Sequence, residues 1–182
     1  QSYIGATLGE YRLDKLLEET DSGPIFLARA KQSSFQLHLL TVPSNLAAQD
    51  RIVFLGHFQR EANHIAALQH PGLLPLLDYG IYRSFPYLVM PRLVMTSLSA
   101  YLSQHGGLDT LLASRFLDQI AAVLEYTHSQ AAFHLGLSTD CIYIKEDKSL
   151  IVANLGVMRM IDVGGVLALS LIHISEPTRQ AE

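Results

Sequence analysis

The chain has 182 residues, with 13 basic and 17 acidic side chains and a formal net charge of -4. Hydrophobic residues make up 49% and charged residues 16%, which excludes a disordered, collagen-like or low-complexity chain and is enough for one domain or two small lobes. The mild acidity and the lack of any Lys or Arg run argue against a nucleic-acid partner, and the single cysteine, Cys141, excludes an internal disulfide framework and suits a reducing, cytoplasmic setting.

Residues 4–17 alternate loosely and carry Tyr11, Leu13, Leu16 and Leu17, which predicts a first strand. The polar stretch 18–24 reads as a turn, with Gly23 and Pro24 at its end. Residues 25–30 and 35–42 are short apolar runs that predict two more strands. Helical spacing opens at Ser44, Asn45 and Leu46, and Phe54, Phe58, Ala62, Ile65, Ala66 and Leu68 share one face. His70-Pro71-Gly72 stops that helix. Residues 73–79 and 86–91 predict a fourth and a fifth strand, joined by a turn near Arg83 and Ser84. A short helix over 97–104 follows, ended by Gly106 and Gly107. The long amphipathic helix over 110–130 turns Leu112, Phe116, Ile120, Val123, Leu124 and Thr127 inward. Two short strands, 141–145 and 150–153, form a hairpin around residues 146–149. The class is α+β: a β-rich lobe of five strands and one helix, then a helical lobe.

Several segments in this order match one family. Gly23-Pro24-Ile25-Phe26-Leu27-Ala28-Arg29 is similar to the end of a Gly-rich loop and the strand after it, and Phe58-Gln59-Arg60-Glu61-Ala62 to a helix carrying an ion-pairing Glu. His70-Pro71-Gly72-Leu73-Leu74 is similar to the loop into a fourth strand, and Tyr87-Leu88-Val89-Met90 to the run into a hinge. Together they resemble a protein kinase of the bacterial Ser/Thr type over residues 8–160. The resemblance implies an N-lobe over 8–93 and a partial C-lobe over 94–168 that reaches only the start of the activation segment. A truncated piece of a longer protein is therefore expected, and a first residue of Gln rather than Met agrees with it.

The resemblance also implies what phosphoryl transfer would need at each position. The first two glycines of the loop align with Glu18 and Thr20, and only Gly23 is retained. Glycine admits phosphates close to backbone N–H groups, whereas Glu18, Glu19 and Asp21 put negative charge beside an anion. The strand Lys aligns with Leu40, which leaves Glu61 without its expected partner. His134-Leu135-Gly136-Leu137-Ser138-Thr139-Asp140-Cys141 aligns with the catalytic loop, so the base becomes Gly136 and the metal-binding Asn becomes Cys141. Asn154-Leu155-Gly156 stands in place of the D-F-G motif, an amide where a hard cation wants a carboxylate. His38 above the adenine position and Tyr143 below it are bulky, while Ile25 and Met90 suit the slot, so a blocked or empty nucleotide pocket is expected. The four stacking positions between lobes align with Ile65, Leu76, His134 and Leu155, all able to pack.

No catalytic residue, metal ligand or cofactor is therefore expected. The leading expectation is a pseudokinase that works by contact with other proteins, as a regulatory module. The alternatives are a nucleotide sensor without phosphotransfer, or a Ser/Thr kinase with relocated groups, and only these would call for ATP and magnesium. His57, Glu61 and His64 share a helix face at spacing suited to metal ligands, but lining the groove between lobes is the favoured reading. Cys141 has no flanking base or cation in sequence and is expected to pack as a small hydrophobe, and His134 to be a buried, hydrogen-bonded histidine. Asp140 and Asp147 lie in turns, where Asp is common for backbone reasons. Residues 169–182, Leu169-Ser170-Leu171-Ile172-His173-Ile174-Ser175-Glu176-Pro177-Thr178-Arg179 onward, resemble a translated sequencing adapter and are set aside as non-native. The apolar run 163–174 is too short and interrupted to span a bilayer, so a membrane tether is expected only in sequence outside this chain.

Overall fold

The computed structural model describes residues 3–42 and 46–162, and all structural statements concern these residues. Side-chain alternation decides the layering of the first half. In β4 (Ser33–Leu39), Leu37 and Leu39 enter one cluster, with Leu8, Leu13, Phe26 and Val89, while His38 and Leu40 lie on the opposite side of the strand. β6 (Phe85–Pro91) does the same, with Tyr87 and Val89 on the first side and Leu88 and Met90 on the second. Burial on both faces explains why these two strands read as unbroken apolar runs.

These strands belong to a six-stranded antiparallel sheet with β1 (Thr7–Leu8), β2 (Tyr11–Thr20), β3 (Gly23–Ala30) and β5 (Asp78–Tyr82), ordered β1-β2-β3-β4-β6-β5. Helix α1 (Ala48–Ala66) covers the second face with Phe54, Phe58, Ala62 and Ile65. Its Phe58, Ala62 and Ile65 join Leu40, Leu88 and Met90 in the largest core cluster. Each of the larger of these side chains, Ala62 excepted, contributes roughly 1.5–3 kcal/mol.

The second half begins with β7 (Thr96–Ser97) and helices α2 (Leu98–His105) and α3 (Thr110–Ser129). Ser97 caps α2 and Asp109 caps α3, each side chain accepting from a backbone N–H of the first turn. Strands β8 (Ile142–Ile144) and β9 (Leu150–Val152) complete a three-stranded sheet ordered β7-β8-β9, and the short helix α4 (Val157–Ile161) follows. Phe116 of α3 packs with Leu98, Ile142, Ile144 and Leu150, while Val123 reaches the large cluster. The expected α+β order is thus the observed one. No helix among the described residues is long and apolar enough to cross a membrane.

Three details differ from the expectation. The stretch 18–24 is mostly strand: Thr20 pairs with Gly23, Glu19 with Pro24 and Glu18 with Ile25, so only Asp21 and Ser22 form the turn. Its polarity marks an exposed strand surface rather than a strand end. The fourth predicted strand is displaced, because Leu73 bridges to Val152 and Leu74 N donates to Val152 O at 2.8 Å, tying the halves together before β5 starts at Asp78. Pro75 could not donate to a ladder there. The two-residue β1 is an additional strand, which makes six where five were expected. The helix start near Ser44 and Asn45 and the tail 169–182 fall outside the described residues.

Candidate functional site

A cleft of about 440 Å³ lies where the two halves meet. Glu18, Thr20, Ile25, Met90, Gly136, Cys141, Tyr143 and Asn154 all line it, so eight of the expected positions converge from β2, β3, β6, β8 and two loops. Gly23, His38, Leu40 and Glu61 do not line it. The cleft is therefore not closed by two bulky side chains as expected: Tyr143 forms part of the wall, while His38 is withdrawn. Glu19, Asp21 and Asp140 join Glu18 along the lining, and no Lys or Arg among the described residues faces them. Burial, then the charges of Glu18, Cys141 and Asp140, push the Tyr143 phenol above its ordinary value.

His38 is 1% exposed and anchors the β2–β3 turn instead. Its Nε2 lies 3.1 Å from Ser22 Oγ and 3.4 Å from Thr20 Oγ1, and Thr20 Oγ1 donates to Gly23 O at 2.7 Å. Thr41 N donates to Ser22 O at 2.8 Å and holds the same turn from the backbone side. Gly23 is required there, since its φ is +128° and an added Cβ would meet Leu39 O at 2.1 Å. Burial lowers His38 to about 4, so the ring is neutral at pH 7.

Leu40 is fully buried beside Phe58 and Ala62. Glu61 is not left alone, contrary to expectation: its Oε2 accepts from Arg159 Nε of α4 at 3.0 Å. His57 Nε2 donates to Arg159 O at 2.7 Å, and His64 Nε2 donates to Gln130 O at 2.8 Å. His57, Glu61 and His64 thus serve separate contacts that bind α1 to the second half.

Ile65, Leu76 and Leu155 fall in one cluster, and His134, the fourth expected stacking position, is buried and donates from Nε2 to Ala153 O at 2.7 Å. The same Nε2 lies 3.7 Å from Cys141 Sγ, a contact the sequence did not reveal, although its proton goes to Ala153 O and it is no base for the thiol. Burial alone would lower His134 and raise Cys141, but their mutual contact, aided by Ala153 O and Ser138 N, outweighs it. His134 is held above and Cys141 below the ordinary value. Cys141 also caps the 3-10 turn Thr139–Cys141, its Sγ accepting from Ser138 N at 3.2 Å. Asn154 has φ +61°, a left-handed conformation that Asn tolerates well.

Sequence reasoning missed Ser22, Arg159 and Gln36. Gln36 stands two residues before His38 on the same side of β4, and its Oε1 accepts from Leu93 N at 2.7 Å at the cleft wall. Strand period could have found Gln36, and hairpin register Ser22; nothing local marks Arg159, which lies 98 positions beyond Glu61.

Residues 21–170 match the family model for the protein kinase domain. The chain belongs to this family. The kinase domain is 27% identical over 156 residues to the serine/threonine-protein kinase PknD of Mycobacterium tuberculosis, a match covering 86% of this chain and 23% of PknD. It is 25% identical to the carbon catabolite-derepressing protein kinase of Saccharomyces cerevisiae, over 91% of this chain and 26% of that protein. The chain thus spans about a quarter of the length of these relatives. Among solved structures, the PknI kinase domain of Mycobacterium tuberculosis superposes with a TM-score of 0.71 at 18% identity, covering 86% of this chain and 64% of that one. The apo form of PpkA-294 gives 0.73 at 19% identity, covering 97% and 68%. The protein kinase fold expected from the motifs is the fold of this chain.

Proposed function

We propose that this kinase domain does not transfer phosphate and acts as a regulatory or protein-interaction module of a cytoplasmic signalling protein. The observation that carries the reading is the charge of the cleft. Glu18, Glu19, Asp21 and Asp140 line it without a Lys or Arg among the described residues, where a nucleotide would bring several negative charges. A like-charge pair at about 4 Å opposes binding by roughly 1–4 kcal/mol, depending on the local dielectric. The donor set is equally unsuited to magnesium, since Cys141 offers a soft sulfur and Asn154 a neutral amide. Leu40 sits in the core, and Glu61 is engaged with Arg159. The two curated relatives named above are protein kinases by name, PknD a serine/threonine kinase, and this reading separates the chain from them at the site while keeping their fold. Its partners would be other proteins.

A phosphotransfer assay with a general acceptor protein, run with magnesium and ATP, tests the proposal. No transfer above the no-enzyme control is expected. Transfer that disappears in Asp140→Asn would overturn it and favour relocated catalytic groups.

A second reading rests on the open volume of the cleft and its apolar wall of Ile25, Leu74 and Met90, which could take a flat ring without phosphotransfer. Thermal unfolding with and without millimolar ATP separates the two. A nucleotide at 100 times its Kd stabilises by about 2.7 kcal/mol. A flat titration removes the sensor reading.

A further inference from the structure

Two depressions outside the cleft share one ridge, His70 and Pro71, in the loop that leaves α1. One, of about 370 Å³, is walled by Leu68, Leu73 and Pro75. The other, of about 260 Å³, lies between that loop, α3 and the β8–β9 hairpin, with Ala122, Val123 and Leu150 as its apolar wall. Local chemistry holds this surface in shape. Pro71 and Pro75 each fix a backbone angle. Gly72 lies so close to α3 that an added Cβ would meet Val123 Cγ2 at 2.7 Å. Val152 N donates to Gly72 O at 2.7 Å and Leu74 N to Val152 O at 2.8 Å, which pins the loop to β9. Gln119 of α3 grips the hairpin, its Oε1 accepting from Leu150 N at 2.9 Å and its Nε2 donating to Lys148 O at 3.3 Å. The two depressions are thus formed in advance, which lowers the ordering cost of association.

The charge at this surface is the opposite of that in the cleft. No Asp or Glu lines either depression, whereas four line the cleft. Lys145 lines the smaller depression, half-buried, and forms no ion pair among the described residues. Asp147, a carboxylate of the same hairpin turn, has its Oδ1 engaged by Ser149 N at 2.8 Å and Ser149 Oγ at 2.6 Å. Gly72 N donates to His70 Nδ1 at 3.0 Å, so the neutral ring carries its proton on Nε2, which has no acceptor among the described residues. An ammonium and a ring N–H are therefore unused beside two apolar hollows.

We propose that this surface docks an extended, acidic and apolar segment of another protein. An extended chain presents alternate side chains to one face, which lets two apolar residues straddle the ridge and enter the two depressions. A carboxylate of the same segment meets Lys145 and the His70 Nε2–H. The inference rests on the reading of this domain as a protein-interaction module and names the class of its partner.

Selection from a random peptide display library on the full parent chain, with counter-selection against Lys145→Glu, is the test. Enriched peptides should carry Asp or Glu within a few residues of Leu, Ile or Phe. A synthetic copy of the enriched sequence, titrated by fluorescence anisotropy, should bind the parent at least about tenfold tighter than Lys145→Glu or Ala122→Gln, the second of which narrows the smaller depression from α3. Exchanging the peptide's acid for Lys should weaken binding by a similar factor. No enriched peptide, or equal binding to the parent and both folded variants, would overturn the proposal. Enrichment of basic peptides would also overturn it and place the contact in the acidic cleft. If neither variant folds, amide shifts of the parent chain decide: changes at Gly72 and Ser149 support the docking surface, and changes confined to the cleft lining or none at all overturn it. A failure here leaves the phosphotransfer result untouched, and transfer in that assay would overturn the proposed function whatever this surface binds.

Discussion

Acid should loosen the β2–β3 turn, and His38 sets the size of the effect. The ring is 1% exposed, has no carboxylate partner among the described residues, and leaves Nδ1 buried without a hydrogen bond. Burial lowers it from 6.5 in the unfolded chain to about 4. A depressed value means that the unfolded chain binds the proton more readily, so stability is fully present above about 6.5 and is lost as pH falls toward 4. Linkage gives a loss of about 2 kcal/mol by pH 5, rising to about 3 kcal/mol at lower pH. His134 works in the other direction, since its value is raised and its contribution fades as pH rises through the folded value. Comparing the parent chain with His38→Gln removes that term, because His134 is common to both. Urea unfolding at pH 8 and pH 5 should show the parent losing about 2 kcal/mol more than the variant. Parallel losses would refute the argument that a neutral His38 holds the turn.

Leu40→Lys, which places the lysine that the resemblance implies at this position, should destabilise by about 3 kcal/mol or more, because it exchanges a fully buried leucine for an ammonium group in the core. Thermal unfolding reads the loss, and a stable variant that gains an ATP-dependent shift would show that the space for the lysine had been kept. Gly23→Ala should lower stability by about 2–4 kcal/mol, since its Cβ meets Leu39 O at a φ of +128°, and an unchanged melting temperature would mean that the turn does not press on β4. Arg159→Ala should weaken the chain by about 1 kcal/mol and speed amide exchange in α1, because the Glu61 side chain, 13% exposed, loses its cation. Unchanged exchange around His57 to Glu61 would show that α1 is held by packing alone.

The parts of this molecule legible in its sequence are those whose signal is local. Helix α2 announces its end through Gly106, which the structure places as its left-handed C-cap, and α3 announces itself through its apolar spacing; the N-caps Ser97 and Asp109 are added by the structure. The strand run 86–91 is legible because β6 is apolar on both faces. The cleft residues Glu18, Ile25, Met90, Gly136, Cys141, Tyr143 and Asn154 could be brought together only because the order of motifs resembled a known fold. What stayed hidden depends on pairs distant in sequence. Cys141 looked isolated because six residues lie between it and His134, and the loop they form, with Leu135 at φ +56°, folds the two into contact. Glu61 looked bereft because its partner lies on α4, almost the last described element. His38 pointed to a blocked cleft because bulk is readable from sequence and side-chain direction is not.

These corrections share one physical pattern. On the proposed reading, the groups at the positions that the resemblance assigns to phosphate handling have local partners in this fold. Leu40, at the lysine position, completes the cluster around Phe58 and Ala62. Glu61, which would otherwise be a half-buried carboxylate in need of charge, takes Arg159. Cys141, where the resemblance implies an asparagine, caps the short turn Thr139–Cys141 through its sulfur. Asn154 holds the left-handed backbone that lets Leu155 reach the column with Ile65 and Leu76. An unpaired buried polar group costs roughly 1–3 kcal/mol, so losing several at once without such substitutions would consume much of a typical domain's 5–15 kcal/mol. On the proposed reading, local contacts of this kind keep the fold stable without phosphate handling, and they hold α1, α4 and the β2–β3 turn in one arrangement.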